Sequence, residues 1–384
     1  MNLYKTIFSN DLQYKHSRIK NLYKIVLTIL IFKLYFLWYH TDIIYNYNSK
    51  IISNSSFVIL SWNAKQFENF GYCPDTDCLY TNDRSYLKVA NAIFFNDYFY
   101  NPFNDGSNVI KRSKFSTLFV NVITESYANM INKPFYRLLN YPYNYFNLTY
   151  TYLANGNVFW SYGSDRWYFR NLTTNEKYNL SIELDSKISK KKKNIIWIVS
   201  NCNAISGRSI AIKELDKYID VEQFGECNNK KLSFTFNGKR KLYEEYYFYI
   251  ASENSDCKDY ITEKFYERIL FTSIPLVNVR SFYAKDDIPP NSFIAFDDFT
   301  SPKEMADYLK FLISNKTEYM KYFAYRKDGW FQRQYNDYRC YTCRKFKRIY
   351  KSNSKNNIFD ITEWFKDNNY CLKENYIPDL WNLR

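Results

Sequence analysis

Glycine is scarce in this chain, which limits the kinds of phosphate-binding loop that it can form. The sequence has 8 glycines in 384 residues, and none of them stands in a Gly-x-Gly-x-x-Gly fingerprint or in a Walker phosphate loop. Such loops need glycine because their backbone must approach the phosphates closely. The sequence therefore excludes a typical dinucleotide site and a typical P-loop site.

Long hydrophobic runs are also lacking, apart from one segment near the N-terminus. Residues 22–39 form the longest apolar run, but lysines interrupt it, so it is short for the roughly 20 residues of a membrane span. Basic residues precede it and a polar stretch follows, which predicts a cytoplasmic N-terminus. A cleaved signal peptide is the alternative, although no small-residue cleavage site follows. We predict a cytoplasmic tail (1–21), a transmembrane signal anchor (22–40) and a stem (41–56).

Acidic residues are outnumbered, since 53 Lys and Arg stand against 39 Asp and Glu and the formal net charge is +14. Such a charge suits nucleic acid, an anionic membrane surface or an anionic small substrate. Much of it lies in local clusters, at residues 190–193 and 339–351 among others, and such clusters are usually solvated surface. We therefore predict no nucleic-acid partner. The 40 Tyr and 32 Phe fit a general compositional bias, so we infer no stacking surface from them.

The 8 cysteines include two close pairs, Cys73/Cys78 and Cys340/Cys343. Zinc binding and disulfide formation both fit such pairs, but an oxidising lumen favours disulfides. We predict no metal site, and the pairing of Cys202, Cys227, Cys257 and Cys371 stays open. Sequons for N-glycosylation fit the same compartment. The glycosylation candidates are Asn54, Asn147, Asn171, Asn179 and Asn315.

Strand and helix patterns alternate along the chain in the manner of parallel α/β units. In such sheets, ligands bind beyond the carboxyl ends of the strands. We predict an α/β protein with a first domain at 57–185, a second domain at 194–345 and a C-terminal tail at 346–384. The polar stretch 171–193 is the predicted linker. Strands are expected at 57–62, 92–95, 115–126, 194–201, 221–226, 246–251, 274–279 and 292–296, and helices at 209–219, 260–270, 301–313 and 317–328. The helix at 260–270 should have Ile261, Phe265 and Ile269 on one face. The helix at 301–313 should have Ser301 as its N-cap and Pro302 in its first position, with Glu304 placed to complete a capping box.

Charged residues gather where the strands of the second domain end. Arg208 and Lys264 each stand at the start of a predicted helix, where free amide groups and a cation together suit a diphosphate. Glu253 and Glu263 flank a polar loop, and near a phosphate site a carboxylate suits the hydroxyl groups of a ribose or a sugar. The alternatives are a surface arginine for Arg208 and a helix-start carboxylate for Glu263. Glu125 ends a buried strand of the first domain, where it could face a cleft.

These residues stand in motifs that resemble a known family, the α1,3-fucosyltransferases of glycosyltransferase family 10. The donor-site signature of that family resembles IASENSDCKDYITEKFYERILFTSIPLV (250–277) followed by IPPNSFIAFDDF (288–299). NIIWIVSNCNAISGRSIAIKEL (194–215) resembles a second family motif. CPDTDCLYTNDRS (73–85) and RCYTCRKF (339–346) resemble its cysteine motifs, so the resemblance spans roughly 57–346.

The resemblance implies a GT-B architecture, with two Rossmann-like domains facing a cleft. Residues 57–185 would form the acceptor side, 194–345 would bind GDP-fucose, and the tail 346–384 would pack back on the first domain. Cys73 and Cys78 would bridge to Cys340 and Cys343. Implied site residues are Glu125 as the general base, Arg208 and Lys264 on the diphosphate, and Asn254, Tyr260 and Glu263 in the nucleotide-sugar pocket, with Glu253 close by.

The expected reaction is the inverting transfer of L-fucose from GDP-fucose to an N-acetylglucosamine residue of a glycoprotein or glycolipid glycan. The family implies a single-pass type II protein of the Golgi membrane with a lumenal catalytic body. The two cations and a helix N-terminus stabilise the leaving diphosphate without a metal. No cofactor is therefore required, and a divalent ion such as manganese is expected at most to stimulate the reaction.

The chain departs from the family pattern on the acceptor side. The Glu-Ser-Pro motif reads Glu125-Ser126-Tyr127, and Asn155 and Asn157 stand where the family has Asp. These departures leave an alternative open, an inactive paralogue that acts as a glycan-binding or scaffold protein. A transferase with another sugar-nucleotide donor is a further alternative. Terminal N-acetyllactosamine and the chitobiose core both remain as acceptors.

Overall fold

The computed structural model describes residues 33, 56–62, 71–96, 110, 116–131, 144–160, 162–163, 167–228, 230, 236–332, 338–352 and 360–383. The chain divides into two compact units, residues 1–57 and 58–384. The predicted tail, anchor and stem, together with Asn54, lie outside the described residues except for Lys33, which is helical, and Ser56, the last residue of the stem. None of the described helices is both long and apolar enough to cross a membrane.

The described strands form two larger sheets and a small antiparallel pair. The strands are β1 (Phe57–Ser61), β2 (Gly71–Cys73), β3 (Cys78–Thr81), β4 (Ala92–Phe95), β5 (Leu118–Ile123), β6 (Leu148–Thr151), β7 (Val158–Phe159), β8 (Trp167–Phe169), β9 (Lys193–Ile198), β10 (Val221–Phe224), β11 (Tyr246–Ile250), β12 (Ile274–Val277), β13 (Ile294–Ala295) and β14 (Trp330–Gln332). The α-helices are α1 (Tyr127–Ile131), α2 (Thr174–Ile188), α3 (Arg208–Asp216), α4 (Phe236–Glu244), α5 (Glu263–Tyr266), α6 (Arg280–Tyr283), α7 (Pro302–Ser314), α8 (Lys316–Lys321), α9 (Ala324–Lys327), α10 (Tyr338–Ser352), α11 (Ile361–Asn368) and α12 (Tyr376–Leu380).

The first sheet has the strand order β2-β3-β1-β4-β5-β6-β7. Strands β1, β4, β5, β6 and β7 run parallel, whereas β2 and β3 form an antiparallel pair at one edge. All residues of β4 and β5 are buried, as expected of apolar runs in the middle of a parallel sheet. The carboxyl ends of the parallel strands, including that of β5, therefore lie at one edge of the sheet.

The second sheet is entirely parallel, in the order β10-β9-β11-β12-β13. Its central strand β11 (YYFYI) packs in a large apolar core that includes Phe248, Ile195 and Leu276. Helices α3 and α7 cover the sheet through Ile212 and Leu309, which are fully buried. The α/β class predicted from the sequence is confirmed, with a mostly parallel sheet at residues 57–159 and a fully parallel sheet at residues 193–295.

The predicted linker at 171–193 is wrong in one respect, because most of it forms the helix α2. Thr173 caps this helix, and the side chain of Glu176 bonds back to the Thr173 backbone in a complete capping box. Leu184 and Ile188 bury the helix against the second sheet. Only these two positions of the helix are buried, so its polar composition hid the helical pattern.

The predicted helix at 260–270 is shorter than expected, since α5 covers only Glu263–Tyr266. It begins late because Asp259 has a positive φ of 67° and Thr262 acts as the N-cap. The predicted apolar face is nevertheless correct, because Ile261, Phe265 and Ile269 are all buried. The helix predicted at 317–328 is likewise divided, into α8 and α9.

The start of α7 differs from prediction in one detail. Ser301 caps the helix by accepting a hydrogen bond from the backbone N–H of Glu304, as predicted. The Glu304 carboxylate, however, accepts hydrogen bonds from the backbone and hydroxyl of Thr300 rather than from Ser301. The predicted capping box is therefore only half formed.

Four disulfides use all 8 cysteines of the sequence. Cys73 bonds to Cys340 and Cys78 to Cys343, which ties the edge of the first sheet to α10. The pairs left open by the sequence are Cys202–Cys227 and Cys257–Cys371.

The C-terminal tail contacts both sheets. Phe346 of α10 packs against Phe94 and Tyr150 of the first sheet, with ring centroids 4.9 and 5.4 Å apart. The end of the tail instead joins the core of the second sheet through Ile377 and Trp381. Only the first part of the tail therefore packs on the first domain, as the sequence predicts. The apolar residues of α12 pack in the core of the second sheet instead.

Candidate active site

The candidate site residues lie where strands of both sheets end. Glu125 follows β5, Glu253 and Asn254 follow β11, and Arg208 opens the helix that comes after β9. Because parallel strands of one sheet present their carboxyl ends at the same edge, the loops after β9 and β11 lie close together. Glu125 of the first sheet contacts two residues of the loop after β11, Asn254 and Tyr260.

The carboxylate of Glu125 is 8% exposed and receives an uneven set of hydrogen bonds. Its Oε1 atom accepts bonds from the hydroxyl of Tyr260 (2.6 Å), the backbone N–H of Ser126 (2.9 Å) and the amide of Asn129 (2.9 Å). Its Oε2 atom accepts one long bond, from the amide of Asn254 at 3.5 Å. Oε2 is therefore the oxygen with spare capacity to accept a proton.

Tyr260 is 4% exposed and packs edge-to-face on Tyr152, with ring centroids 5.1 Å apart. Burial and the nearby Glu125 carboxylate raise the pKa of the Tyr260 hydroxyl well above its usual value. The hydroxyl therefore remains a hydrogen-bond donor to Glu125 at neutral pH. This holds the Glu125 carboxylate in one orientation.

Arg208 is 4% exposed and its guanidinium is anchored by main-chain carbonyls. It donates to the carbonyl of Ser252 at 2.6 Å and to that of Asn201 at 3.1 Å. Burial lowers the pKa of Arg208, while Glu253 and other nearby groups oppose this change. The surface-arginine alternative is thus wrong, because this side chain is almost fully buried.

Helix α3 begins at Arg208, and its N-cap is Gly207, whose φ is 69°. A Cβ atom there would come within 2.5 Å of Oδ1 of Asn375 and 2.8 Å of Cγ of Pro378. Glycine is therefore required, both by the left-handed backbone and by the tail segment packed against it. The nine-residue helix α3 is long enough to present a helix N-terminus. The four-residue α5 is not, so the predicted helix-terminus contribution at Lys264 is wrong.

Lys264 and Glu253 form a partly buried ion pair with Nζ–Oε2 at 2.9 Å. Thr262 completes it, since its backbone N–H and its hydroxyl both donate to Glu253 Oε1 at 2.8 Å. Burial disfavours the Lys264 charge, but Glu253 and Glu263 outweigh it and raise the pKa of Lys264. Glu253 is thus held by its own loop, with both oxygens occupied.

Glu263 differs from Glu253 in exposure, because 43% of its side chain faces solvent. Burial opposes its charge, yet Lys264 and Arg268 lower the pKa of Glu263, so it is a carboxylate at neutral pH. Asn254 has a buried Oδ1 atom with no hydrogen-bond partner among the described residues. A free amide oxygen and an exposed carboxylate are both suited to bind a ligand's N–H or hydroxyl groups.

The two asparagines that replace family aspartates have structural contacts. Asn157 accepts hydrogen bonds from the backbone N–H of Thr149 (2.9 Å) and from its hydroxyl (3.1 Å), which supports the start of β6. Asn155 is exposed and its amide bonds to Asn368 of α11. Asn157, which departs from the family pattern, therefore stabilises the first sheet through Thr149.

Metal ligands do not gather in the described parts of the chain. No group of three or more His, Cys, Asp or Glu side chains there is arranged to hold a metal ion. The sequence does contain an Asp-x-Asp pair, Asp75 and Asp77, which the prediction passed over. It lies between the bridged cysteines at the edge of the first sheet, and Asp77 accepts a hydrogen bond from Tyr72.

The sequons differ in accessibility. Asn147 is 1% exposed and its side chain accepts a hydrogen bond from the backbone N–H of Phe119, so a glycan there is incompatible with this fold. Asn315 caps α8 with its side chain and is half-buried. Asn171 and Asn179 are exposed.

Several residues of the site were missed by the sequence analysis. Asn129, Thr262 and Ser255 orient the charged groups, and the hydroxyl of Ser255 bonds to that of Ser126. Asn129 stands four residues after Glu125, across the start of α1, and this spacing was the one available signal. The bond between Ser255 and Ser126 joins residues 129 positions apart and leaves no local signal, whereas Thr262 and Glu253 belong to one loop.

The fold and the site together define an α/β protein with one mostly parallel and one fully parallel sheet, whose strand-end loops meet around buried charges. Two family models match this chain. "Glycosyltransferase family 10 (fucosyltransferase) C-term" matches residues 188–364, and "Fucosyltransferase, N-terminal" matches residues 54–163. The chain belongs to glycosyltransferase family 10, the fucosyltransferases.

Similar proteins carry related names. An α-(1,3)-fucosyltransferase of Caenorhabditis elegans is 32% identical over 284 residues, which is 72% of this chain and 60% of that protein. Glycoprotein 3-α-L-fucosyltransferase A of Drosophila melanogaster is 29% identical over 322 residues, 82% of this chain and 60% of that protein. The mouse 4-galactosyl-N-acetylglucosaminide 3-α-L-fucosyltransferase 9 is 34% identical, over 57% of each chain. The chain thus spans about 60% of the length of the first two relatives.

Among solved structures, an α1,3-fucosyltransferase crystallised with GDP-fucose is similar, with a TM-score of 0.48 and 17% sequence identity. The match covers 79% of this chain and 92% of that one.

Proposed function

We propose that this chain is an inverting α1,3-fucosyltransferase with GT-B architecture. It moves L-fucose from GDP-fucose to an N-acetylglucosamine residue of a glycoprotein or glycolipid glycan. Membership of glycosyltransferase family 10 and the names of the relatives support the reaction class. The observation that carries the proposal is the contact of Glu125, from the first sheet, with Asn254 and Tyr260 of the loop after β11.

Glu125 is the proposed general base. Inversion needs a base on the acceptor side, which takes the proton of the acceptor hydroxyl as the oxygen attacks the anomeric carbon. Three donors hold Oε1, and Oε2 is left with one long contact, so Oε2 is the proposed proton acceptor. The held orientation lowers the entropic cost of reaching the reactive geometry.

Arg208 and Lys264 are the proposed partners of the departing diphosphate. Their charges, with the N-terminus of α3, stabilise the negative charge that develops on the leaving group. Lys264 bonds to Glu253 and Glu263, so it engages a phosphate by exchanging one of these partners. Asn254, Tyr260 and Glu263 are proposed to line the nucleotide-sugar pocket, and no metal or cofactor is proposed to be required.

The cellular setting is also a proposal. We propose a single-pass type II protein of the Golgi membrane, with the catalytic body in the lumen. The pairing of all 8 cysteines supports an oxidising compartment. Protease protection in sealed microsomes, with epitope tags at both ends of the chain, tests the orientation.

The activity test uses the full chain, GDP-fucose and two acceptor classes that the relatives' names suggest, glycoprotein glycans and 4-galactosyl-N-acetylglucosaminides. We expect fucose transfer to at least one class. Glu125→Gln keeps an acceptor for Tyr260 and Ser126 but cannot take a proton, so kcat should fall about 10²- to 10⁴-fold. The affinity for GDP should change less than about twofold, because Glu125 lies on the acceptor side.

Glu183→Gln is the matched control, since Glu183 is an exposed carboxylate of α2 that pairs with Lys187 of the same helix. It should retain full activity. Absence of transfer by the unaltered chain across a broad glycan array would overturn the proposed activity. Transfer by Glu125→Gln at the normal rate would overturn only the assignment of the base. A competition assay with other nucleotide sugars identifies the donor.

A further inference from the structure

A buried chain of polar side chains lies behind Arg208. Ser252, whose carbonyl binds the guanidinium at 2.6 Å, donates its hydroxyl to Oδ1 of Asn278 at 2.6 Å. The amide of Asn278 in turn donates to Oδ1 of Asp256 at 2.7 Å. These three residues are 1%, 4% and 6% exposed respectively, so water contributes little to holding them. Hydrogen bonds thus link Asp256, through Asn278, to Ser252, the residue whose carbonyl holds Arg208.

Asp256 is an unusual residue for this place. Its Oδ2 atom has no hydrogen-bond partner among the described residues, and it lines a small cavity together with Tyr283. Burial raises the pKa of the Asp256 carboxyl to about 7, against the hydrogen bond from Asn278. The ionisable groups that interact with it are Glu253 on its own loop, Arg208 in α3, Asp297 after β13, Tyr283 in α6 and Tyr376 in α12.

The backbone of Asp256 is fixed independently of its carboxyl group. Its carbonyl accepts a hydrogen bond from the backbone N–H of Leu372 at 2.8 Å, and the adjacent Cys257 is bonded to Cys371. A substitution of the Asp256 side chain therefore affects Arg208 through the hydrogen bonds of Asn278 and Ser252. It does not release the backbone of the loop.

We propose that Asp256 is a positioning residue that orients Arg208 through Asn278 and Ser252, and that its protonation state tunes the affinity for a nucleoside diphosphate. This inference rests on the proposed function, since it assumes that Arg208 binds the diphosphate. In its neutral form, Asp256 supports the chain without adding negative charge near the phosphates. In its ionised form it keeps the bond from Asn278 but repels the diphosphate, because like charges in a buried site interact strongly.

The sign of the pH dependence follows from this repulsion. A bound diphosphate disfavours the ionised carboxyl and so raises the pKa of Asp256. By linkage, the affinity for the diphosphate must then fall as the pH rises through that pKa.

The experiment measures the dissociation constant of GDP by calorimetry at pH 6 and pH 8, for the full chain and two variants. Asp256→Asn retains the acceptor for Asn278 and is neutral at both pH values, whereas Asp256→Ala removes the acceptor. We expect Asp256→Ala to bind GDP about tenfold more weakly at pH 6, with Asp256→Asn within about twofold of the unaltered chain. Between pH 6 and pH 8, the unaltered chain should weaken about fivefold relative to Asp256→Asn.

The comparison between chains at each pH removes the titration of GDP itself, whose terminal phosphate also ionises in this range. Asp307→Asn, an exposed carboxylate of α7 paired with Lys303, is the matched control and should follow the unaltered chain. Equal pH dependence of Asp256→Asn and the unaltered chain, or normal GDP affinity of Asp256→Ala, would overturn the proposal. Arg208→Ala distinguishes a failure of this inference from a failure of the proposed function. If the unaltered chain binds GDP and Arg208→Ala does not, a normal GDP affinity of Asp256→Ala contradicts only the role of Asp256. If the unaltered chain binds no GDP, the proposed function itself fails.

Discussion

The Glu253–Lys264 pair shows how single residues of the donor loop depend on one another. Only 4% of the Glu253 side chain and 22% of that of Lys264 are exposed. Among the described residues, removing the lysine would leave Thr262 as the remaining hydrogen-bond donor to this buried carboxylate. In such pairs, the loss of one partner costs more than the loss of both, because it leaves an unpaired charge. Stability and ligand binding at Lys264 are therefore separable by a second substitution.

Lys264→Met should lower the free energy of unfolding by about 2 to 4 kcal/mol, because Glu253 loses its counter-ion. The double variant Glu253→Gln/Lys264→Met should recover most of this loss, since glutamine is neutral and still accepts the bonds from Thr262. Both variants should bind GDP weakly, because both lack the cation. Urea unfolding and calorimetric GDP binding measure the two effects. A double variant as unstable as Lys264→Met, or one that binds GDP normally, would contradict the assignment.

At the scale of elements, the strands were the most predictable features. β11 and β12 are short runs of mostly buried apolar residues, and β9 has such a run at residues 195–197. These runs follow the parallel-sheet pattern. Helix α2 was missed because only Leu184 and Ile188 are buried in it, while its capping box at Thr173 and Glu176 gives a purely local signal. Binary patterning fails where a helix needs few apolar contacts.

In the candidate site, the residues next to recognisable elements were predictable, and the contacts between distant residues were not. Family motifs and strand ends indicated Glu125, Arg208 and Lys264, since each stands next to a recognisable element. The hydrogen bond from Tyr260 to Glu125 joins residues 135 positions apart, and no local pattern encodes it. The late start of α5 depends similarly on Glu253, which accepts the N–H of its N-cap Thr262. Contacts between loops are set by tertiary packing, which one sequence does not reveal.

Lys191 joins the carboxyl end of α4 to the starts of β11 and β12. Its ammonium donates to the carbonyls of Glu244 (3.0 Å) and Tyr246 (2.8 Å) and to the hydroxyl of Ser273 (3.3 Å). Burial lowers the pKa of Lys191 to about 8, although Glu244 opposes this change. In the unfolded chain the amine titrates near its usual 10.5. Between these values the unfolded chain binds more protons, so folding becomes more favourable as the pH rises.

We therefore expect the free energy of unfolding to rise with pH relative to Lys191→Met, which has no titrating amine at this position. The relative gain should be about 2 kcal/mol between pH 7 and pH 9.5. Urea unfolding at several pH values measures it. Lys190→Met removes an exposed neighbouring charge and should show no such trend. A constant difference between the unaltered chain and Lys191→Met would mean that the buried amine keeps an ordinary pKa.

At the scale of the whole molecule, two disulfides connect the start of the first sheet to α10. Cys73–Cys340 and Cys78–Cys343 close loops with sequence separations of 267 and 265. Cys340 and Cys343 lie three residues apart on α10, so they point to the same side of the helix. Either bond alone keeps the two ends of the chain together in the unfolded state. The other bond then closes only a small ring, which constrains the unfolded chain much less.

This geometry predicts that the two bonds are strongly non-additive. Loop-closure entropy gives about 2 kcal/mol for removing either pair alone, and about 8 kcal/mol for removing both, because only then is the long loop released. Alanine is the suitable replacement, since all four cysteines are almost fully buried and serine would bury a hydroxyl. The free energies of unfolding of Cys73→Ala/Cys340→Ala, Cys78→Ala/Cys343→Ala and the fourfold variant test this. If the fourfold loss equals the sum of the two twofold losses, the bonds act through local packing in the folded state. A fourfold loss about three or four times that of either pair means that they act through the unfolded chain, and that one of them is enough to hold α10 on the first sheet.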